Sequence, residues 1–410
     1  MRGLSMNKLP FYVAASTLSL ALAGCGGGGG GGSTPPPSPG DPKPGVNQVT
    51  VDENTGIKSI TINATSHSDY TYLNLETGKV LDLNAAQAAA STNWHMGFRR
   101  YGIILNGGAS GPGTVQGALA AAQEDFYSDG EPNVEVFLAA TAEQEEEHLL
   151  ASYDLSSLTF VADAPTAAIK GSKEWTFSGA DQILDEGWYF YNLNGHSITL
   201  NDENWWLVRS NTGESYAKFH ATELSYSPAT GLDVTFEFNV QPANTTQFTS
   251  TATFDALVAT DGAACFDFDA DATVECTSSA WDIKLEVKSR QFNIWVNGGI
   301  SGSGQGAAFG PLPTADADQY NNATMSPDGS TPIVQHYEAD KNAGIFEDKL
   351  WHAYHLSNAH KLWPNYRVYI IDSDPEDADA KKFAVQITNY YYNLVSGHPT
   401  VRIFELPGNQ

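Results

Sequence analysis

Hydrophobic and polar residues alternate with a period of two along much of this chain. The alternation is clearest in residues 216–221 and 367–371, and runs of Gly, Asn and Asp separate such segments. A period of two places successive side chains on opposite faces of a strand, as in half-buried antiparallel sheets. The pattern therefore predicts an all-β fold, mostly antiparallel, with a few short helices.

Helical patterns are confined to short pieces. Residues 114–126 form one predicted helix and residues 141–150 a second. Thr141 and Gln144 are spaced as a capping box at the start of the second helix, where each side chain can bond the other residue's backbone N–H.

A glycine-rich motif occurs twice. Residues 106–113 and 297–304 share the pattern N-G-G-x-S-G-x-G, each after a segment that opens at Trp94 or Trp281. Later in each half, Lys218-Phe219 corresponds to Lys382-Phe383 at an offset of 164 positions. Repetition of this kind predicts two tandem copies of one β domain, residues 48–243 and 251–410, with a polar boundary at residues 244–250.

The N-terminal segment predicts export. Arg2 and Lys8 precede an apolar stretch from Leu9 to Ala23, too short for a membrane-spanning helix, and Ala23-Gly24-Cys25 resembles the lipobox of bacterial lipoproteins. Residues 1–25 are therefore the predicted signal peptide, with Cys25 as the lipidation site, and the Gly/Pro-rich residues 26–47 a disordered tether. The residue after the cysteine is Gly26, which resembles the outer-membrane sorting signal of Gram-negative lipoproteins. We therefore expect the lipid anchor to be the only contact of the protein with the membrane.

The cysteines and the net charge argue against a zinc site and against nucleic acid as a partner. Cys265 and Cys276 are the only cysteines besides Cys25, and in an oxidising compartment they predict a local disulfide; two thiols alone make an incomplete zinc shell. A formal charge of −27, from 48 acids against 21 bases, argues against nucleic acid as a partner.

No catalytic constellation is recognisable. Ser110 and Ser301 do not stand in a nucleophile elbow, and the glycine loops lack a phosphate-binding ending, so we expect their glycines to allow positive φ and close packing. Asp267, Asp269 and Asp271 begin like a calcium loop but lack its glycine and distal glutamate. We predict a non-enzymatic protein.

Several motifs resemble the HmuY family of bacterial haem-binding lipoproteins. They are residues 72–79, ending in Thr77-Gly78-Lys79, the strand opening at Trp94, the glycine loop at 106–113 and residues 208–218. The second copy departs more, because residues 266–269 replace the Thr-Gly-Lys opening. The resemblance implies an all-β surface protein that holds haem between two axial side chains and passes it to an outer-membrane receptor.

The candidate haem ligands lie outside the shared motifs. His196 and His360 occupy equivalent predicted turns in the two copies, although exposed turn histidines would fit the same positions. Second ligands could come from three further residues, namely His148, His336 and Met325. Haem acquisition is therefore the leading hypothesis, and the alternative is a cofactor-free interaction module of the same fold.

Overall fold

The computed structural model describes residues 45–128, 131–171, 187–192, 197–288, 291–356 and 361–408. Antiparallel strands make up 45% of the structure and helices 10%, which confirms the predicted all-β class. The sheets form two units, which we name by their place in the chain.

The terminal unit, residues 45–163 and 344–408, combines both ends of the described chain. It contains a six-stranded sheet in the order β1-β2-β27-β26-β25-β7 and a four-stranded sheet in the order β4-β3-β5-β6. The strands are β1 (Val49–Val51), β2 (Lys58–Thr61), β3 (Thr71–Asn74), β4 (Lys79–Leu81), β5 (Met96–Arg99), β6 (Gly102–Leu105), β7 (Gln116–Ala121), β25 (Val368–Asp372), β26 (Lys382–Tyr392) and β27 (Val395–Glu405).

The middle unit, residues 168–340, contains a five-stranded sheet in the order β16-β15-β14-β13-β21 and a four-stranded sheet in the order β18-β17-β19-β20. The strands are β13 (Asn204–Arg209), β14 (Tyr216–Ser227), β15 (Gly231–Gln241), β16 (Ser250–Val258), β17 (Ala263–Asp267), β18 (Ala272–Val274), β19 (Ile283–Lys288), β20 (Gln291–Val296) and β21 (Ala307–Pro313).

The described part of the chain also contains four two-stranded ladders, and one of them joins the units. That ladder pairs β10 (Ala164–Thr166) with β22 (Lys341–Ala343), antiparallel. The others pair β8 (Tyr127–Ser128) with β9 (Glu131–Pro132), β11 (Tyr189–Asn192) with β12 (Ser197–Leu200), and β23 (His352–Tyr354) with β24 (Leu362–Pro364).

The helices are short. They are α1 (Ala85–Ala88), α2 (Val134–Ala139), α3 (Glu146–Leu149), α4 (Thr314–Ala317) and α5 (Ile345–Asp348), with 3₁₀ turns at Glu124–Phe126, Leu155–Ser157 and Val334–His336. Among the described residues, no helix is long and apolar enough to cross a membrane.

Each unit has its own apolar core. The terminal core buries Ile60, Leu73 and Phe98 from the start of the chain together with Tyr369 and Ile403 from its end. The middle core is rich in phenylalanine: Phe219 stacks on Phe238 with ring centroids 4.9 Å apart, and Phe254 stacks on Phe266 at 4.8 Å. Aromatic burial of this kind adds to the stability of a sheet stack.

One predicted helix is wrong and the other is shorter than expected. Residues 114–126 form strand β7 and a 3₁₀ turn, because β7 pairs with β25 and Gly117 packs closely under Ile345. The predicted capping box is present: the Gln144 N–H donates to Thr141 Oγ1, and the Thr141 N–H donates to Gln144 Oε1. The α-helix itself covers only α3.

The predicted disulfide is confirmed. Cys265 and Cys276 are bonded, with their Cα atoms 5.2 Å apart, next to the β17–β18 hairpin. The predicted signal peptide, Cys25 and most of the tether lie outside the described residues.

Strand pairing crosses the predicted domain boundary. β2 pairs with β27, although the two strands stand at opposite ends of the chain, and β15 pairs with β16 across residues 242–249. The division into 48–243 and 251–410 stays a prediction about the repeat in the sequence. The sheets themselves combine strands from both segments.

Candidate functional site

A cleft of about 820 Å³ lies between the two units. We name it the interunit cleft. This volume is within the range of small-molecule sites, about 300–1,000 Å³. The terminal unit contributes the β2–β3 loop and strands β3, β5 and β6. The middle unit contributes the segment around the 3₁₀ turn Val334–His336, and β22 closes the cleft beside it.

One wall of the interunit cleft is aromatic and apolar. Tyr70, Tyr72 and Tyr101 line it together with Ile103 and Ile104. The Tyr72 ring lies 4.9 Å from the ring of buried Trp94, which fixes its orientation. Such a surface can pack against the face of a flat, largely apolar ligand.

Basic side chains gather at the same cleft, although the chain as a whole is strongly acidic. Arg99, Arg100 and Lys341 line it, and the Arg99 guanidinium lies 4.6 Å from the centre of the Tyr70 ring. Arg100 Nη2 donates to Ser396 Oγ at 2.8 Å. Arg99 and Arg100 could hold the carboxylates of a ligand.

Carboxylates offset part of that positive charge. Lys341 Nζ lies 3.0 Å from Glu338 Oε2 and 3.2 Å from Glu347 Oε2, both in the cleft wall. Burial disfavours the Lys341 ammonium, but attraction to the two glutamates outweighs that effect and raises the pKa of Lys341 above its ordinary value. The Tyr101 hydroxyl also donates to Glu338 Oε1 at 3.0 Å, which ties the units together across the cleft.

Two buried aspartates fix the glycine-rich loops beside the cleft. The Asp163 carboxylate accepts from the Leu105 N–H at 2.9 Å and from Ser110 Oγ at 2.6 Å. The Asp340 carboxylate accepts from the Val296 N–H at 2.9 Å in the matching position. Burial raises the pKa of each aspartate to about 6. Matching hydrogen bonds to a buried aspartate therefore anchor both loops.

Each side of the interunit cleft supplies one histidine. His67 comes from the β2–β3 loop of the terminal unit, and His336 from the 3₁₀ turn of the middle unit. Gln335 Nε2 lies 3.2 Å from His336 Nε2. Partial burial lowers the pKa of His336, which favours the neutral imidazole that coordinates metal ions.

The other predicted ligands do not join this pair. His196 and His360 lie outside the described residues; the strands that flank them in sequence pair antiparallel, β11 with β12 and β23 with β24. His148 Nε2 lies 3.7 Å from Glu145 Oε2 in α3. Met325 forms an isolated β-bridge with Pro332. Neither His148 nor Met325 lines the interunit cleft.

One buried histidine and one group of carboxylates lie outside the cleft lining, although the His352 ring is 5.8 Å from the ring of Tyr101 in the cleft wall. His352 is 8% exposed, burial lowers its pKa to about 4, and its Nδ1 has no hydrogen-bond partner among the described residues. Asp267, Asp269 and Asp282 place one carboxylate oxygen each within 4.8 Å of one another. Asp271 is not part of this group, and its carboxylate accepts from the Thr253 N–H at 2.9 Å.

Sequence patterns singled out only part of the cleft wall: His336 was a predicted ligand, Tyr72 begins the motif at residues 72–79, and Ser110 lies in the first glycine-rich loop. His67 is a lone histidine in a polar loop, and Tyr101, Arg99 and Lys341 belong to no motif with a ligand spacing. These residues meet because the two units pack together. A signal for that contact would have to come from long-range pairing rather than from local spacing.

Comparison with known proteins points to one family. Residues 66–238 match the model of the HmuY protein family. One solved structure similar to the chain is named for a HmuY-like heme binding protein from Bacteroides vulgatus ATCC 8482. It is 11% identical, the alignment covers 88% of this chain and 97% of that one, and the TM-score is 0.28. None of the curated proteins matches. The segment of the chain from the His67 loop to β15 is therefore similar to the HmuY family.

Proposed function

We propose that the chain binds haem in the interunit cleft and serves in haem acquisition. His67 and His336 are the proposed axial ligands. Haem requires a flat apolar slot, one or two imidazole or thioether ligands, and a solvent-facing or basic setting for its propionates. The observation that carries the proposal is a single cleft that combines a tyrosine-lined wall, three basic residues and one histidine from each unit.

The donor set of the cleft suits haem iron. Neutral imidazole is a common ligand of haem iron, and the lowered pKa of His336 keeps it available near neutral pH. Arg99 and Arg100 would neutralise the propionates, which matters because the chain carries 48 acidic residues against 21 basic ones. The family match at residues 66–238 supports the same ligand.

A second candidate function is a cofactor-free interaction module. Glu338, Asp340 and Glu347 also line the cleft, and Lys341 is already paired with two of them. Those carboxylates would repel propionates if Arg99 and Arg100 did not compensate. Absence of haem binding would favour this candidate.

A haem titration followed by the Soret band tests the proposal. We expect binding at micromolar haem, with His67→Ala and His336→Ala each weakening it at least tenfold and changing the position of the band. His148→Ala is the matched control, since this histidine is also at the surface but lies outside the cleft. A titration without a Soret shift would eliminate haem as the ligand.

Histidine variants also show which residues coordinate haem, separately from whether the protein binds haem at all. If His196→Ala and His360→Ala abolish the Soret shift while His67→Ala and His336→Ala leave it unchanged, haem is bound but at the two hairpin turns. If all four variants retain the wild-type spectrum, coordination comes from other residues and the interunit cleft is not the site.

We also propose that Cys25 carries a lipid that anchors the protein to an outer membrane, where it would pass haem to an uptake receptor. The lipobox-like sequence before Cys25 supports this location. Labelling of growing cells with a palmitate analogue should modify the wild-type protein, and Cys25→Ser should abolish both labelling and recovery in the membrane fraction. Labelling of the Cys25→Ser protein would contradict the assignment.

A further inference from the structure

The two units have the same strand arrangement. Apart from the extra edge strand β1, the large sheet of the terminal unit has the order β2-β27-β26-β25-β7, and that of the middle unit β16-β15-β14-β13-β21. The small sheets match as well, β4-β3-β5-β6 against β18-β17-β19-β20. Even isolated bridges correspond: Gly117 pairs with Val161, and Ala308 with Glu338. Each unit is therefore one copy of the same fold.

The order of these strands along the chain differs between the units. In the terminal unit, the three strands that close the sheet, β25 to β27, come from the second repeat of the sequence. In the middle unit the corresponding strands, β13 to β15, come from the first repeat and precede β16. Each repeat thus begins in one unit and ends in the other.

The two-stranded ladder that precedes the closing strands in each repeat packs in the same unit as those strands. These ladders are β11–β12 before β13 to β15 and β23–β24 before β25 to β27. The Asn201 N–H donates to the Trp188 carbonyl, and the Asn365 N–H donates to the Trp351 carbonyl, at equivalent places in the two repeats. Trp188 from the first repeat is buried in the core of the middle unit. Trp351 from the second repeat is buried in the core of the terminal unit.

The crossing point is the ladder between β10 and β22. β10 follows Asp163, which is fixed in the terminal unit, and leads to Ile169, which is buried in the middle core and bridges to Ile294. β22 follows Asp340, which is fixed in the middle unit, and leads to Ile345 in the terminal core. The two connectors run antiparallel past each other.

We infer that the two repeats have exchanged their closing strands within one chain, and that this exchange builds the interunit cleft. Exchange of an identical element between two copies is a known route to paired domains. The family model matches residues 66–238 as one stretch, from the β2–β3 loop through β15, which fits a single-copy relative that closes on its own strands. Here the same stretch is divided between two units.

The exchange bears directly on the cleft. β22 exists as a paired strand because the connectors cross, and its residues Lys341 and Asn342 line the cleft. Asn342 Nδ2 donates to the Ala109 carbonyl of the facing glycine loop at 2.5 Å. A chain whose repeats closed on themselves would lose the β10–β22 ladder and this wall. The inference does not depend on which ligand the cleft binds.

Cysteine pairs across the sheets distinguish the two arrangements. Thr61 in β2 lies opposite Thr400 in β27, with their hydroxyl oxygens 2.9 Å apart, and Asp233 in β15 lies opposite Leu257 in β16. Thr400 and Asp233 are equivalent, because their partners across the next ladder, Asn389 and Ser225, are 164 positions apart (389 − 225), the offset of the sequence repeat. In self-closed repeats, Thr61 would face Asp233 and Leu257 would face Thr400.

The experiment uses the full mature chain with Cys25→Ser and its native disulfide. Two variants pair neighbours of the exchanged form, Thr61→Cys with Thr400→Cys and Asp233→Cys with Leu257→Cys. Two matched variants pair neighbours of the self-closed form, Thr61→Cys with Asp233→Cys and Leu257→Cys with Thr400→Cys. Directly opposed positions can form a disulfide without backbone movement. Mass spectrometry of non-reduced peptides identifies the links.

We expect the first two variants to link within single chains and the matched two to stay reduced at those positions. A link between positions 61 and 233, or between 257 and 400, would overturn the inference. A covalent dimer joined between 61 and 400 would overturn it too, because the exchange would then occur between chains. The Asp233 and Leu257 positions are exposed, so that variant tests the middle unit even if changes at Thr61 impair folding.

Discussion

The terminal and middle units share one strand order, yet equivalent positions have acquired different chemistry. His95 follows Trp94 in the terminal unit, and its Nδ1 accepts from the Leu75 N–H at 3.1 Å. Asp282 follows Trp281 in the middle unit, and its carboxylate accepts from the Phe268 N–H at 3.1 Å. Each side chain accepts a backbone N–H from the equivalent hairpin of its own unit, β3–β4 or β17–β18. The equivalent position therefore supplies a hydrogen-bond acceptor in both units, but not the same charge.

The units differ most in how they are assembled from the chain. The middle unit comes from one segment of the chain, residues 168–340, apart from the stretches outside the description, whereas the terminal unit requires both ends. A single fold can thus be built from one segment or from two. Continuity in sequence is therefore a poor guide to which parts of this chain are stable together.

Removal of residues 367–410 should have the largest effect on this comparison. The truncation deletes β25 to β27 and opens the terminal core, but leaves every described strand of the middle unit. Hydrogen exchange should show lost protection in β2 to β7 and retained protection in β13 to β21. Retained protection in β2 to β7 together with loss in β16 to β21 would mean that each repeat folds on its own strands.

Gly108→Ala and Gly299→Ala should each destabilise one unit by about 3 kcal/mol. Both glycines have positive φ, 60° and 62°. A Cβ atom there would lie 2.1 Å from the Asp163 carbonyl oxygen or 2.0 Å from the Asp340 carbonyl oxygen. Denaturant unfolding measures the loss.

Gly56→Ala is the control for that pair. It also has positive φ, but no atom lies within 4 Å of its Cβ position, so we expect a cost of only about 1 kcal/mol. Equal costs at all three glycines would show that the close approach of the aspartate backbones is unimportant.

His95 and Asp282 should give opposite pH dependence. Burial raises the pKa of Asp282 to about 7, so its protonated form favours folding below pH 4 and this contribution is lost as the pH rises towards 7. Burial lowers the pKa of His95, so its contribution is present above pH 6.5 and is lost on acidification. The two equivalent side chains therefore favour different pH ranges.

Asp282→Asn and His95→Gln each keep a hydrogen-bond acceptor at the position but replace the ionisable side chain by a neutral amide. Relative to Asp282→Asn, the wild-type free energy of unfolding should fall by on the order of 2 kcal/mol between pH 4 and pH 7. Relative to His95→Gln, it should fall as the pH drops from 7 to 5. Parallel curves for wild type and variants would show that neither group titrates differently on folding.

Tyr101→Phe should have the smallest effect. It removes the hydroxyl that donates to Glu338 across the interunit cleft, at a cost of about 1 kcal/mol. Tyr153→Phe is the matched variant, because its hydroxyl donates to the His148 carbonyl within the terminal unit. Both should lower stability slightly, but only Tyr101→Phe should alter haem affinity in a Soret titration. An effect of Tyr153→Phe on haem affinity would contradict the assigned site.

Local sequence patterns predicted local structure well. The alternation at residues 216–221 lies in strand β14 and that at 367–371 continues into strand β25, which begins at Val368; the Thr141–Gln144 capping box and the Cys265–Cys276 disulfide are confirmed. The helix predicted at residues 114–126 is wrong because β7 gains a partner strand, β25, some 250 positions away. Long-range pairing overrode an alanine-rich local pattern.

The choice of partner strand could not be predicted from the sequence. β15 and β27 have similar alternation, and either could complete the edge of β2 or of β16. The pattern specifies which face of a strand is buried, but not which copy supplies its neighbour. For the same reason the placement of His67 and His336 in the wall of one cleft was not predicted, although His336 itself was among the candidates.

The pairing of β2 with β27 has a consequence for when the protein can fold. Residue 60 meets residue 401, so nearly the whole polypeptide must emerge before this sheet can close. Contacts of such large sequence separation form slowly, because the loop must be ordered before they are gained. The middle unit, whose large-sheet strands lie between residues 204 and 313, can therefore assemble before the terminal unit closes.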